Sequence, residues 1–364
     1  MPAPDSSSPA WTDQSWSIIL FILFKFLLHL LVCGVVLSSS LWLCGALWYQ
    51  QPVGKTGTIL LIALWLALTL SLLGIYSLHA SWRLFSMIGY SLCFLIGLLW
   101  YFHIEPRNDR EWDPEVARIV DYEKQGNLIT IHNVRNFDWH SLNSYTEHWE
   151  TRQYDLSQLN RLDVVTSYWM GPQIAHTLMS FGFSNGQHLT FSIEIRKEKD
   201  EQFSSIGGFF RKYELSLVAA DEKDIIYTRS NMRGEQVYIY PVDMPKKDMQ
   251  ELFLSYLNKA EQLKHHPRWY NTLTSNCTTL VFDMIKAIIP QLPVDYRLLV
   301  SGYLPNYIYD LGGLNAQYSF TALQQKAYVN PRTQGFEQRQ DQSSQAYSEL
   351  IREGVPVPET NSAH

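Results

Sequence analysis

The stretch IAHTLMSFGFSNGQHLTFSIEIRKE, residues 174–198, decides how the second half of the chain folds. Two runs of branched and aromatic residues flank Asn185-Gly186, a pair suited to the positive backbone angles of a tight hairpin turn. The reading is a β-hairpin in a mainly antiparallel sheet. Its register matters because side chains alternate between the two faces of a strand. With a two-residue turn at Asn185-Gly186, His176 opposes Ile195 and Glu194 faces the other side. With a three-residue connection over 184–186, His176 opposes Glu194 directly.

Short runs of similar composition surround the hairpin: NLITIHNV and RLDVVTSYW before it, YELSLVAA, DIIYTRS and VYIYPV after it. Each is expected to be a strand. Two helical patterns come next. Met249, Leu252, Phe253, Tyr256, Leu257, Ala260 and Leu263 recur at helical spacing after Pro245, and Leu280, Val281, Met284, Ile285, Ile288 and Ile289 do so before Pro290. The fold class is therefore α+β. From Asn330 on the sequence is polar, so 330–364 is expected to be a largely disordered tail, with a short helix near Tyr347 to Arg352.

The first 104 residues differ. Three nearly charge-free blocks, about 26–48, 57–78 and 84–103, are each long enough to cross a hydrocarbon core of roughly 30 Å at about 1.5 Å per residue. They read as transmembrane helices in an uncleaved anchor over 1–104, because the leader is acidic and lacks a small-residue cleavage site. The segment 105–117, with two prolines and alternating charge, reads as a juxtamembrane linker to a domain over 118–329. Lys25 and Arg83 on the cytoplasmic side would place everything after the third block outside, in the periplasm of a Gram-negative inner membrane.

The net charge of −6 comes without a basic block, which argues against nucleic acid as a partner. Of four cysteines, Cys33, Cys44 and Cys93 fall in the apolar blocks, so Cys277 has no disulfide partner in the domain. It stands in SNCTT at the start of the second helix, where the macrodipole and unpaired N–H groups favour a thiolate and can hold an oxyanion. Asn276, Ser275 or Thr274 can cap that helix.

A thiol nucleophile needs a base. His265 and His266 flank a turn, while His132, His140 and His148 lie in polar segments without the close pairing of zinc ligands. His188 is beside the hairpin turn, and His364 is terminal. The reading calls for no metal and no cofactor. His176, among apolar residues on its strand, is the candidate base, and the three-residue hairpin adds Glu194 as the orienting member of a Cys277, His176, Glu194 triad. Arg152, Arg196 and Lys197 are candidates to hold an anionic group.

The ordered motifs GPQIAHTLMSFGF, FSIEIRKEKDEQFSSIGGFFRKYEL and WYNTLTSNCTT resemble the family of the Lnb N-terminal periplasmic domain, from a lipoprotein N-acyltransferase, over about residues 105–314. That family is similar to circularly permuted NlpC-like, papain-like thiol enzymes. The resemblance implies Cys277 as nucleophile and His176 as base; Asn276, by its place at the helix start, is the candidate cap or oxyanion support. It implies acyl transfer from a membrane phospholipid, whose phosphate Arg152, Arg196 and Lys197 are candidates to hold, to an amine acceptor such as the N-terminus of a lipoprotein. Here three spans precede the domain, whereas in Lnb the domain precedes the spans. The rival readings are an NlpC-like cysteine hydrolase acting on cell wall or lipid, and a non-catalytic membrane scaffold. Oligomeric state is not written in the sequence.

Overall fold

A computed structural model describes residues 13–359, with side chains from residue 16 onward. The acidic leader before residue 13 and His364 lie outside the described residues. The chain divides into two compact units, Met1–Glu105 and Pro106–His364.

The first unit holds helices α1 (Asp13–Gln50), α2 (Gly54–Leu78) and α3 (Arg83–Phe102). All three are long and apolar enough to cross a membrane. The second and third match the expected blocks closely. The first runs further toward the N-terminus than expected: its apolar stretch covers Trp16–Gln50, 35 residues, about 52 Å of helix. No proline or glycine interrupts residues 17–33, and Lys25, the one charge there, lays its Nζ 4.2 Å from the Phe21 ring. Buried hydroxyls join the three helices. Ser40 Oγ lies 3.0 Å from Thr69 Oγ1 and 3.1 Å from the Tyr90 hydroxyl, and Tyr90 donates to the Val36 carbonyl at 3.0 Å. Such bonds hold helices together where lipid offers no alternative partner.

The second unit is built on an eight-stranded sheet. Its strands are β1 (Asp121–Gln125), β2 (Leu128–Arg135), β5 (Trp149–Asp155), β6 (Leu159–Tyr168), β7 (Ala175–Phe183), β8 (His188–Arg196), β9 (Glu214–Ala220) and β10 (Gln236–Pro241). The order is β1-β2-β9-β8-β7-β6-β10, with β5 also on β2. All pairs are antiparallel except β2 with β9. The strands β3 (Asp138–Ser141) and β4 (Ser144–Thr146) make a separate small hairpin.

Alternation along the strands creates two apolar faces. Met179, Phe181 and Phe183 of β7, with Leu189, Phe191 and Ile193 of β8, share a core with helices α5 (Lys246–His265) and α6 (Thr279–Ile288). Phe253 of α5 is the hub: Phe181 and Phe191 meet it edge-on with ring centroids 5.2 and 5.3 Å away. On the opposite face Leu178, Val218, Val165 and Ile239 pack against α4 (Glu222–Tyr227) and the C-terminal segment.

Three expectations are corrected. The run DIIYTRS is not a strand: α4 leads into a π-helical turn, Thr228–Met232. Asp221 accepts from the Lys223 N–H, and Glu222 and Asp224 stand in the first turn, where acidic groups suit a helix N-terminus. The tail is not disordered over its described part, because α9 (Asn330–Thr333) and α10 (Ser344–Leu350) pack on that face with Tyr347 and Ile351 fully buried. Helices α7 (Leu304–Asp310) and α8 (Phe320–Ala327) precede them. Finally, 106–117 is not a loose linker. Arg196 donates to the carbonyls of Val116 and Ala117 and to Asn108 Oδ1, Lys197 pairs with Asp113 at 2.9 Å, and Trp112 bridges to Glu198.

Candidate active site

The hairpin takes the three-residue connection. Leu178 pairs with Ser192, Phe181 with Leu189 and Gly182 with His188, so the pleat brings His176, Ser192 and Glu194 to one face. His176 Nε2 lies 2.7 Å from Ser192 Oγ and 3.2 Å from Glu194 Oε1. The Ser192 hydroxyl donates to Glu194 Oε1 at 2.6 Å, so it accepts from His176, which puts the imidazole proton on Nε2 and leaves Nδ1 as the basic nitrogen. Arg229 Nη2 donates to the same carboxylate oxygen at 2.7 Å.

Cys277 is delivered to this group by a separate stretch of chain. Leu215 N–H donates to the Arg268 carbonyl at 2.7 Å and Tyr270 N–H to the Tyr213 carbonyl at 2.9 Å, fixing the approach along β9. Asn271 and Ser275 then close a tight loop through two backbone hydrogen bonds of 3.1 and 3.0 Å. Asn276 caps the turn that leads into α6. Its Oδ1 accepts from the N–H groups of Thr278 and Thr279, both at 2.9 Å, and its Nδ2 donates to the Thr272 carbonyl at 2.7 Å. Thr278 Oγ1 lies 3.2 Å from Thr177 Oγ1, which ties the start of α6 to the residue after His176.

This geometry revises the oxyanion expectation. The cap engages the Thr278 and Thr279 N–H groups, and the Leu280 N–H reaches the Asn276 carbonyl. Among the described residues the Cys277 N–H donates to no acceptor, which makes it the backbone donor available to an oxyanion. Asn276 therefore acts as the cap, with both ends of its amide bonded.

The electrostatics favour an ion pair. Burial pushes the Cys277 thiol up, but the His176 charge, its hydrogen bond to the sulfur and the Thr177 N–H outweigh this and bring it below the usual thiol value. Burial pushes His176 down, yet the Glu194 carboxylate and the Cys277 thiolate raise it to about 9. Burial likewise raises Glu194, but His176 and Arg229 hold it well below the ordinary carboxylate range. Two phenols border the thiol, Tyr256 buried and Tyr270 half-buried. Burial first, then the Cys277 charge, raises both Tyr256 and Tyr270, and the Tyr256 hydroxyl has no partner among the described residues.

The other candidates lie elsewhere. Arg152 pairs with Glu150 and Asp221 at 2.6 and 2.7 Å, and Arg196 and Lys197 hold the 106–117 segment. Already bonded within the fold, none of the three is presented to a lipid phosphate. His188 sits beside the turn, its Nδ1 3.2 Å from the Gly186 carbonyl. His132 and His140 contact threonine hydroxyls at 3.0 and 3.1 Å. No group of three histidine, cysteine or acidic side chains is placed to hold a metal ion among the described residues.

Sequence reasoning missed Ser192 and Arg229. Ser192 was legible as the residue two before Glu194 on the same face. Arg229 was hidden by reading its segment as a strand.

A tight contact aligns the start of β7. Gly302 N–H donates to the Gln173 carbonyl at 3.0 Å, the Ala175 N–H donates to Ser301 Oγ at 3.0 Å, and a Cβ on Gly302 would fall 2.1 Å from the Pro172 carbonyl oxygen. Gly302→Ala is therefore expected to push residues 172–173 away and cost about 1–3 kcal/mol. A lowered melting temperature together with slower Cys277 alkylation checks it.

Compared with known proteins, residues 145–302 match the family model of the Lnb N-terminal periplasmic domain. The match spans β5 to β10, His176, Glu194 and Cys277. Comparison with curated proteins and with solved structures gives no match.

Proposed function

We propose, from the match of residues 145–302 to the Lnb N-terminal periplasmic domain on a chain with three helices able to cross a membrane, that the protein is a membrane-anchored thiol acyltransferase. The observation that carries this reading is the Cys277 thiol in mutual electrostatic contact with a histidine whose far nitrogen faces Ser192 and Glu194. The permuted papain-like order, histidine strand before cysteine helix, supports it. Cys277 is the nucleophile, His176 the acid and base, Glu194 the orienting carboxylate.

In the first half-reaction the Cys277 thiolate attacks the ester carbonyl of a membrane phospholipid. The carbonyl oxygen takes up negative charge beside the Cys277 N–H. As the C–O ester bond breaks, the His176 imidazolium gives its proton to the departing oxygen, leaving a lysophospholipid and a Cys277 thioester. In the second half-reaction a neutral amine attacks the thioester, neutral His176 removes the amine proton, and the C–S bond breaks to give an amide and the thiolate. The amide is more stable than the thioester, so no external energy source is needed. The acceptor we assign is the amino terminus of a lipoprotein, held with the donor at one bilayer surface, where effective concentration is high.

We assign the site to the periplasm, with the anchor as a multi-pass inner-membrane unit and Lys25 and Arg83 on the cytoplasmic side. The reaction uses no cofactor. The test is incubation of the full chain, in vesicles, with acyl-labelled phospholipid. A hydroxylamine-sensitive label on Cys277, discharged by an amino-terminal lipopeptide, is expected. No label, with release of fragments from muropeptides, would make it a cell-wall hydrolase instead. No label and no turnover of either substrate would leave the scaffold reading.

A further inference from the structure

The exposed apolar side chains of the second unit are unevenly placed. Apart from Leu128, Leu142, Leu311 and Val357, the large ones lie on segments 169–174, 203–209, 273 and 294–299. Trp169, Met170, Phe203, Ile206, Leu273 and Leu299 are 44, 52, 57, 59, 49 and 61 % exposed.

All four segments are fastened to the candidate site. Leu273 is in the tight loop that presents Cys277. The 203–209 segment is bound to that loop, because Thr272 Oγ1 donates to the Ser205 carbonyl at 3.1 Å, and a Cβ on Gly208 would fall 2.3 Å from Thr272 Oγ1. The 169–174 segment leads directly into His176. The 294–299 segment continues into Ser301 and Gly302, which bond to Ala175 and Gln173 at 3.0 Å. The apolar groups thus lie on the segments that carry or brace the site, an apolar rim rather than a random scatter.

We infer that this rim seats on the lipid bilayer, its side chains entering the interface so that a phospholipid acyl ester can reach Cys277 without crossing water. The last span ends at Phe102 and the second unit begins at Pro106, so a bilayer is the one apolar surface this chain itself guarantees to the domain. Tryptophan, phenylalanine and leucine are the residues that settle at such an interface. The inference deepens the acyltransferase reading, resting on it for the choice of ester, but its test does not depend on turnover.

The full chain, with Cys33, Cys44, Cys93 and Cys277 replaced by serine, receives a single cysteine at Ile206, at Leu299, or at the exposed controls Lys124 and Gln340. Each is labelled with an environment-sensitive fluorophore and reconstituted in phosphatidylethanolamine and phosphatidylglycerol vesicles carrying a nitroxide on a shallow acyl carbon. Labels at 206 and 299 are expected to be quenched about threefold or more over both controls, as interfacial burial requires. Equal quenching at all four positions, or quenching only after a lipopeptide or second protein is added, overturns the inference in favour of a protein partner. Hydrogen exchange of the unaltered chain gives an independent reading: segments 203–209 and 294–299 exchange more slowly in lipid nanodiscs than in amphipol, and equal exchange in both overturns the proposal.

Discussion

Cys277→Ser should abolish acyl transfer, by roughly a thousandfold or more, because a serine hydroxyl at its ordinary pKa leaves the site without a nucleophile. His176→Ala should cost about 10²–10⁴-fold, the usual range for loss of a general acid-base group. Both variants should melt close to the parent, since each charge left behind keeps a partner: without Cys277 the His176 ring keeps Glu194 at 3.2 Å, and without His176 the Glu194 carboxylate keeps Arg229 at 2.7 Å. The sharper measurement is alkylation of Cys277 against pH. The thiol is lowered by His176, so alkylation should reach its plateau below the value of about 8.5 expected for a free cysteine. Without His176 burial dominates, and the plateau should move above that value. Acyl transfer should instead show a bell. It rises with pH as the thiol ionises, and it falls as pH passes about 9, where His176 gives up its proton and can no longer protonate the leaving oxygen. Glu194→Gln removes the largest influence raising His176, so the falling limb should move to lower pH and the thiol limb to higher pH. An alkylation profile identical in parent and His176→Ala would remove the ion pair from the mechanism.

The hairpin shows how far the sequence could be read. Asn185-Gly186 marked the turn, but the pair suits more than one loop length. The structure chooses the longer one because Phe183 N–H donates to the Gln187 carbonyl and Gly186 N–H to the Phe183 carbonyl, at 3.0 and 2.9 Å. The same register turns Phe181 and Phe191 inward onto Phe253. Burial of aromatic area therefore selects the loop, and residues far away in sequence decide which side Glu194 faces. The segment 224–230 misled for a related reason: branched residues favour strands only on average, and Asp221 with two acidic residues behind it is a local helix signal that outweighs them. The cations Arg152, Arg196 and Lys197 could not be sorted by sequence, because all their partners but Glu150 come from other parts of the chain.

The tail was misread for a physical reason that leads to the second large effect. Its polar composition looked disordered, yet one of its charges is the keystone of a buried network. Arg352 donates to Asp163 Oδ2 at 3.0 and 2.8 Å and to both oxygens of Glu222 at 2.7 and 2.6 Å, and both carboxylates are fully buried. Burial pushes Glu222 up, but Arg352 and His188 hold it well below the carboxylate range. Its stabilising share is present above about pH 4.3, the unfolded value, and is lost as pH falls toward the lower folded value. Arg352→Leu would take the shared cation from two buried carboxylates, leaving Asp163 with Arg161 at 2.9 Å and Glu222 with the Ser180 hydroxyl among the described residues. The expected cost is about 3–5 kcal/mol, or a melting temperature lower by roughly 10 °C for the full chain in detergent. Adding Glu222→Gln and Asp163→Asn to Arg352→Leu should restore much of the loss, because the desolvated charges are gone.

This network also bears on the chemistry. Glu222 begins α4, and α4 runs into the π-helical turn that carries Arg229. Tyr347 packs edge-on against Tyr227 with ring centroids 5.9 Å apart, which seats the tail on the same helix. Arg352→Leu should therefore loosen the support of Arg229, then of Glu194 and His176, and shift the Cys277 alkylation limb upward as well as lowering the melting temperature. A stability loss with an unmoved alkylation limb would confine Arg352 to the fold, whereas movement of both makes the C-terminal segment part of what positions the site.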